Sequence, residues 1–353
     1  MEIKMKRLLL IVLTYFLVNV SFSSAKDKFT TIAPQHPNQG WLEVVNREWS
    51  KKLDADIVIK YHPGAKDIPG ANAWEKEYQH DHKNIMLLHG GNAESFLLDE
   101  IEYNYDNYAY IGLQNLTQVV YKKSDQDVEK GVKMAYISGT NPSAMSVVMM
   151  ICGPKATLND YLKCYNEKFI YVTGLNNAEI DMSFARGETN VGRTPPPGWY
   201  GGRKDLPGAQ LWYSHGILDL KTGKIVKDPN FPVTFEEAYE KKWGQKPSGD
   251  FYDAYVLLRN YRDVFQRVLA VKKDNVHLPK LRSTLLATIN DPESGKVFKE
   301  KLGDYPWHTG DEVLKLLGIL KSQTTDKNLK TLVWWHEQAF KQKVLYKPEL
   351  AKK

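Results

Sequence analysis

Four short stretches hold the residues that can grip an anion without a metal or a nucleophile. They are Pro34-Gln35-His36-Pro37-Asn38-Gln39-Gly40, Gly90-Gly91-Asn92, Ser138-Gly139-Thr140-Asn141-Pro142-Ser143 and Thr173-Gly174-Leu175-Asn176-Asn177. Each joins turn-forming residues to a helix-like stretch, so each leaves unbonded backbone N–H groups at the positive end of a helix dipole. One such turn is ordinary loop chemistry. Four of them, divided between two α/β lobes, suggest a cleft whose walls attract an anion. The candidate ligand contacts are therefore Pro34, Gln35, His36, Asn38, Gln39, Gly90, Gly91, Asn92, Ser138, Gly139, Thr140, Asn141, Ser143, Thr173, Gly174, Asn176 and Asn177. Arg193 and Arg203 offer guanidinium forks for an anionic group, and Trp199 and Tyr200, flanked by Pro and Gly, offer rings to stack on a ring or apolar portion of a ligand. Trp41 and Trp212 sit in apolar patterns that suit a core.

Self-sufficient catalytic signatures are absent: the chain has no GxSxG, HExxH, CxxC, Walker or GxGxxG motif. That favours a binding protein over an enzyme, although an acid/base site scattered through the chain would leave no local motif. His80-Asp81-His82, with His89 nearby, has the residue types of a zinc site, but its polar surroundings read as an exposed connection. No metal or cofactor is expected. Asn115-Leu116-Thr117 matches a glycosylation acceptor at chance frequency. The two cysteines, Cys152 and Cys164, can form a disulfide or remain buried thiols.

The elements that position the turns read as alternating strands and helices. Strand-like runs cover residues 29–33, 56–61, 84–88, 133–138 and 168–173, and Trp41, Val45, Trp49 and Leu53 recur at helical spacing. Pro and Gly at 194–198 and 200–202 exclude regular structure there, and helical patterns cover 250–270, 278–289 and 311–320. Expected boundaries are lobe 1 at 26–122, lobe 2 at 123–245, and a return to lobe 1 with C-terminal helices at 246–353.

Lys4, Lys6 and Arg7 precede an apolar run at residues 8–20, and Ser23-Ser24-Ala25 follows. This is the pattern of a signal peptide cut after Ala25, the alternative being an anchoring helix if flanking residues lengthen the short span. The formal charge of +6 over 353 residues falls to +4 when Glu2 and those three bases are removed, which excludes a nucleic-acid binder. A hydrophobic share of 42% excludes a polytopic membrane protein.

Ala33-Pro34 with Gly40, then Tyr61-His62-Pro63-Gly64-Ala65 with Gly70-Ala71-Asn72-Ala73, resembles the Bug-type receptors of tripartite tricarboxylate transporters. Residues 84–92 and Tyr108-Ala109-Tyr110-Ile111-Gly112-Leu113 also resemble segments of that family, and Ser138-Gly139-Thr140 and Ala185-Arg186-Gly187-Glu188 resemble it more loosely. The family's Gly-Gly pair and acidic residue in the first turn are missing here, where Asn38-Gln39-Gly40-Trp41 stands. The resemblance implies an α/β, two-lobed periplasmic binding protein of type II-like architecture, monomeric, with a ligand cleft between lobes. It implies a periplasmic receptor that captures a small organic carboxylate and delivers it to an integral membrane permease. The alternative is an exported enzyme with a dispersed acid/base site in the same cleft.

Overall fold

In the strand closing the third α/β step, Ile85 and Leu87 pack on one face of the sheet while Met86 and Leu88 pack on the other. All four are buried, so the strand reads as a continuous apolar run rather than an alternating one. The computed structural model that shows this describes residues 26–34, 39–62, 64, 67–136 and 141–351. The apolar N-terminal run lies outside them, as do Gln35, His36, Asn38, Ser138, Gly139, Thr140 and the side chain of Gln39.

The chain begins with β1 (Asp27–Pro34), α1 (Gln39–Leu53), β2 (Ala55–His62), α2 (Ile68–Ala73) and a π-helical turn at Trp74–Tyr78. It continues through β3 (Asn84–His89), α3 (Gly90–Leu98) and β4 (Tyr108–Gln114). Then follow β5 (Val119–Lys123), β6 (Val132–Tyr136), α4 (Pro142–Cys152), α5 (Leu158–Lys168), β7 (Phe169–Thr173), α6 (Asn177–Ala185), β8 (Val191–Thr194), α7 (Pro196–Tyr200) and β9 (Ala209–Ser214). A small hairpin, β10 (Ile217–Leu218) with β11 (Ile225–Val226), precedes α8 (Phe235–Trp243) and α9 (Asp250–Val264). The last elements are β12 (Arg267–Lys272), α10 (Leu278–Asn290), α11 (Pro292–Leu302), β13 (Trp307–Thr309), α12 (Asp311–Gln323) and α13 (Asp326–Ala339).

Two mixed sheets define two lobes. The first has the order β13-β4-β12-β3-β1-β2 and the second β7-β6-β8-β5-β9. In the first, β1 runs parallel to β2 and β3, and β12 is inserted antiparallel between β3 and β4. In the second, β6 is parallel to β7 and β8, while β5 is antiparallel to β8 and β9. One core lies under α1, α10 and α11, where Val45, Trp49 and Leu53 of α1 meet Leu281 and Leu285 of α10 and Leu302 of α11. A second core runs through both lobes, because α9 packs against α3 of lobe 1 and α4 of lobe 2.

Three expectations need correction. The first crossing between lobes falls at residues 115–118, ahead of 122/123, because β5 already belongs to the second sheet. That connection is buried, and Asn115 donates from Nδ2 to the Leu218 carbonyl at 2.8 Å, which closes the acceptor motif to glycosylation. The helical pattern over 250–270 breaks at Val264, and Arg267–Lys272 forms β12. A short apolar run suits helix and strand alike, and the open position between β3 and β4 decides. The Pro-rich stretch is also regular in part: Pro196 and Pro197 open α7, where their missing N–H groups would have had no helical partner.

Candidate functional site

The carboxyl ends of the parallel strands in each sheet supply one wall of the interlobe region. In lobe 1 the register sets Pro34 beside His62, and Arg267 opposite His89. In lobe 2 Tyr136 pairs with Thr173, and the Met134–Val191 pairing brings Arg193 to the same level.

His89 organises the lobe 1 wall. It precedes α3, and Asn92 Oδ1 accepts the His89 backbone N–H at 3.0 Å. Asn92 is used up in this scaffold: its Nδ2 donates to the Asp67 carbonyl at 2.9 Å, and its own carbonyl accepts from the Tyr103 hydroxyl at 2.7 Å. The His89 ring stands between Asp67 Oδ2, 2.5 Å from Nδ1, and the Gln266 amide nitrogen, 2.8 Å from Nε2. A carboxylate only accepts, so Nδ1 carries the proton and Nε2 receives the Gln266 N–H. Burial depresses the imidazole to about 4, against the pull of Asp67, so the ring is neutral at pH 7. With Nδ1 protonated, the Gly91 N–H, 3.3 Å away, has no lone pair to meet there and remains a donor at the helix start.

Behind this turn lie charges that local sequence patterns do not reveal. Arg262, in the last turn of α9, pairs with Glu94 of α3, and both side chains are buried. Arg267 donates from Nη1 to the Gln266 carbonyl at 2.6 Å, and burial pushes its guanidinium down to about 9 while Asp67 pulls the other way. Packing here is close. A Cβ on Gly90 would stand 2.3 Å from Gln266 Oε1 and 2.9 Å from the Arg262 carbonyl oxygen, so only glycine lets α3 start against the end of α9.

The lobe 2 wall is built from Tyr136, Arg193 and Gln118. The Arg193 guanidinium lies 5.5 Å from the Tyr136 ring centre and donates to Gln118 Oε1 at 3.3 Å. It is half-buried. Burial and the neighbouring Arg262 lower it to about 10, which leaves it charged at neutral pH. Asn141 caps α4 by accepting the Ser143 N–H at 2.9 Å. Ser143 Oγ lies 3.3 Å from His215 Nε2, whose Nδ1 is 2.8 Å from Asp263 Oδ2. These are the residue types of a nucleophile relay. However, Ser143 and His215 are both 0% exposed, so the hydroxyl serves first as a tie between α4, the end of β9 and α9.

The candidates therefore divide. Gly90 and Gly91 start α3 and Asn141 and Ser143 lie at the start of α4, all four buried, while Arg193 at the end of β8 is half-buried; the side chains of Asn92 and Asn141 are engaged in holding their turns. The fourth turn is at the outer edge of its sheet, and Thr173, Gly174 and Asn176 are exposed. Its helix end is already occupied, since Asn176 and Glu179 cap each other, while Asn177 Oδ1 accepts from Arg203. Arg203 is also paired with Asp181 at 2.7 Å. Trp199 packs with Tyr121, Phe184 and Phe231 in a separate apolar cluster. Trp41 is buried, donates to Gln114 Oε1 at 2.7 Å and stacks on Trp307. Cys152 and Cys164 are joined in a disulfide, with Cα atoms 6.0 Å apart. Among the described residues no group of three or more His, Cys, Asp or Glu converges on a metal position.

Two mixed α/β sheets joined in this way are the architecture of the two-lobed periplasmic binding proteins. No protein-family model matches the chain, and no curated protein matches its sequence. Solved structures match its fold. The periplasmic binding protein BugD is 13% identical with a TM-score of 0.56, covering 88% of this chain and 97% of its own. MatC from Rhodopseudomonas palustris, with bound malate, is 11% identical with a TM-score of 0.53, covering 88% and 99%. An R. palustris protein solved with adipate is 9% identical with a TM-score of 0.58, covering 88% and 98%. At these identities the likeness is one of fold, and that fold is the one the Bug-type resemblance implied. Among the described residues no helix is long and apolar enough to cross a membrane.

Proposed function

We propose that the chain is an exported, non-catalytic receptor that captures a small organic carboxylate between its lobes and presents it to a membrane permease. One observation carries this reading: beside the N-terminus of α3 stands Arg193, a half-buried guanidinium that has no carboxylate partner among the described residues. A helix terminus contributes about 0.3–1 kcal/mol to holding an anion and a charge-assisted hydrogen bond about 1.5–3 kcal/mol. Micromolar binding corresponds to about −8 kcal/mol, so donors from both lobes must act together. Closure follows, because a ligand touching both walls favours the state in which they meet. Malate and adipate, bound by two proteins of the same fold, are the chemical class to try first. Thermal-shift screening of residues 26–353 against mono-, di- and tricarboxylates tests the reading: a saturable rise in Tm supports it, and no response to any of them refutes it.

The Ser143–His215–Asp263 relay supports a second reading, an exported hydrolase in the same cleft. Ester hydrolysis by the wild type that disappears in Ser143→Ala would establish it. Recovery of the bound ligand unchanged, with no Ser143-dependent turnover, favours the receptor.

A further inference from the structure

We propose that Arg193, Tyr136 and Gln118 form a side-chain clamp for one carboxylate of a dianionic ligand, making Arg193 the residue that selects a dicarboxylate over a monocarboxylate. This rests on the carboxylate reading of the cleft and adds to it the class of ligand and the group that recognises it.

Three observations lead here. First, Arg193 is an unneutralised cation. The carboxylate whose charge acts on it, Glu94, is already paired with Arg262, and Arg262 and Arg203 both add repulsion. A half-buried guanidinium near two others is costly unless an anion joins it. Second, its neighbours have donors to spare. The Tyr136 hydroxyl and the Gln118 amide nitrogen are both buried and have no hydrogen-bond partner among the described residues, while Gln118 uses its oxygen on Arg193. Unpartnered buried donors are uncommon in folded proteins, and here two of them flank the same unpaired cation. A carboxylate supplies what the group lacks: negative charge and up to four acceptor lone pairs.

Third, the surroundings fix the shape of the clamp. Arg193 lies over the Tyr136 ring, which holds the guanidinium by a cation–π contact. Gln118 belongs to the buried connection between the lobes, so the clamp joins lobe 2 to the crossing itself. The start of α3 in lobe 1 provides a separate place for a second carboxylate. A ligand with an acid group at each end would span the two, whereas a monoacid would satisfy only one wall.

The test is titration calorimetry of residues 26–353 with succinate, glutarate and adipate, and with butyrate as the monoacid, on the wild type and on Arg193→Gln. Arg193→Gln keeps a hydrogen-bonding side chain without the charge. The best dicarboxylate should lose about 10- to 100-fold in affinity, and the preference over butyrate should collapse. Meanwhile Tm without ligand should stay level or rise, because an uncompensated charge has been removed; a purely structural arginine would lower it. Tyr136→Phe serves as the second variant: it should fold as the wild type and weaken the same dicarboxylate by a smaller factor. Unchanged dicarboxylate affinity in Arg193→Gln overturns the clamp while leaving the receptor reading intact. Failure of the wild type to bind any of the four acids, or any tricarboxylate, overturns both.

Discussion

His89 and Asp67 are joined by a 2.5 Å contact between Nδ1 and Oδ2, so the residue that ends β3 is tied to the residue that leads into α2. Asp67 adopts φ 63°, the left-handed region that a non-glycine residue enters only when its surroundings hold it there. The pair fixes the tautomer of His89 and thereby the donors at the start of α3.

The depressed imidazole gives a pH dependence whose sign is determined. His89 titrates at about 4 in the folded protein and at about 6.5 when unfolded, so between those values the unfolded chain binds more protons. Its contribution is therefore present above about pH 6.5 and lost as pH falls toward 4. The amount is about 3 kcal/mol over the full window. Urea titrations at pH 7 and pH 4.5 should show this loss in the wild type and a smaller one in His89→Gln. Asp67, Arg267, Arg262 and Gln266 surround the ring and are unchanged in that variant.

Glu94→Gln should be strongly destabilising. It leaves Arg262 buried without its counter-charge, a change that typically costs about 3–5 kcal/mol. Chemical denaturation would show the shift in midpoint. Replacing both residues by apolar side chains of similar volume should recover much of the loss, because the desolvated charges are then removed together.

Gly90→Ala tests the close approach of α3 and α9. The added methyl group would meet Gln266 Oε1 and the Arg262 backbone, and relieving that overlap should cost about 1–3 kcal/mol, visible as a lowered Tm. Gly174→Ala, where nothing lies within 4 Å, probes a different effect: its φ of 89° alone should account for any loss.

Reducing the Cys152–Cys164 bond, or replacing both cysteines by serine, should cost about 3 kcal/mol, the loop-closure value for a bridge between residues 12 apart. The bond staples α4 to α5, away from the strand ends, so ligand affinity should not change.

The architecture was legible because its signals are local. Residues 29–33, 56–61 and 84–88 are β-branched or apolar runs bounded by turn formers, and each became a strand; Trp41, Val45, Trp49 and Leu53 fell on the buried face of α1. Cross-chain charge pairing carries no local signal. Arg262 meets Glu94 from 168 positions away, and Gln266 meets His89 from 177. Arg267 was read as part of a helix, although two arginines and a glutamine beside Val264 and Phe265, in a segment otherwise apolar enough to be buried, were a hint of a charged wall. The turns at Asn92, Asn141 and Asn176 show the converse: residues rich in donors and acceptors were read as ligand contacts, yet each spends its side chain on capping its own helix.

The most direct measurement is a calorimetric titration of residues 26–353 with adipate, succinate and citrate, followed by recovery of the ligand. The account predicts saturable one-to-one binding of at least one of them, with the acid returned chemically unchanged. Absence of binding to all three, or recovery of a reaction product, would contradict it.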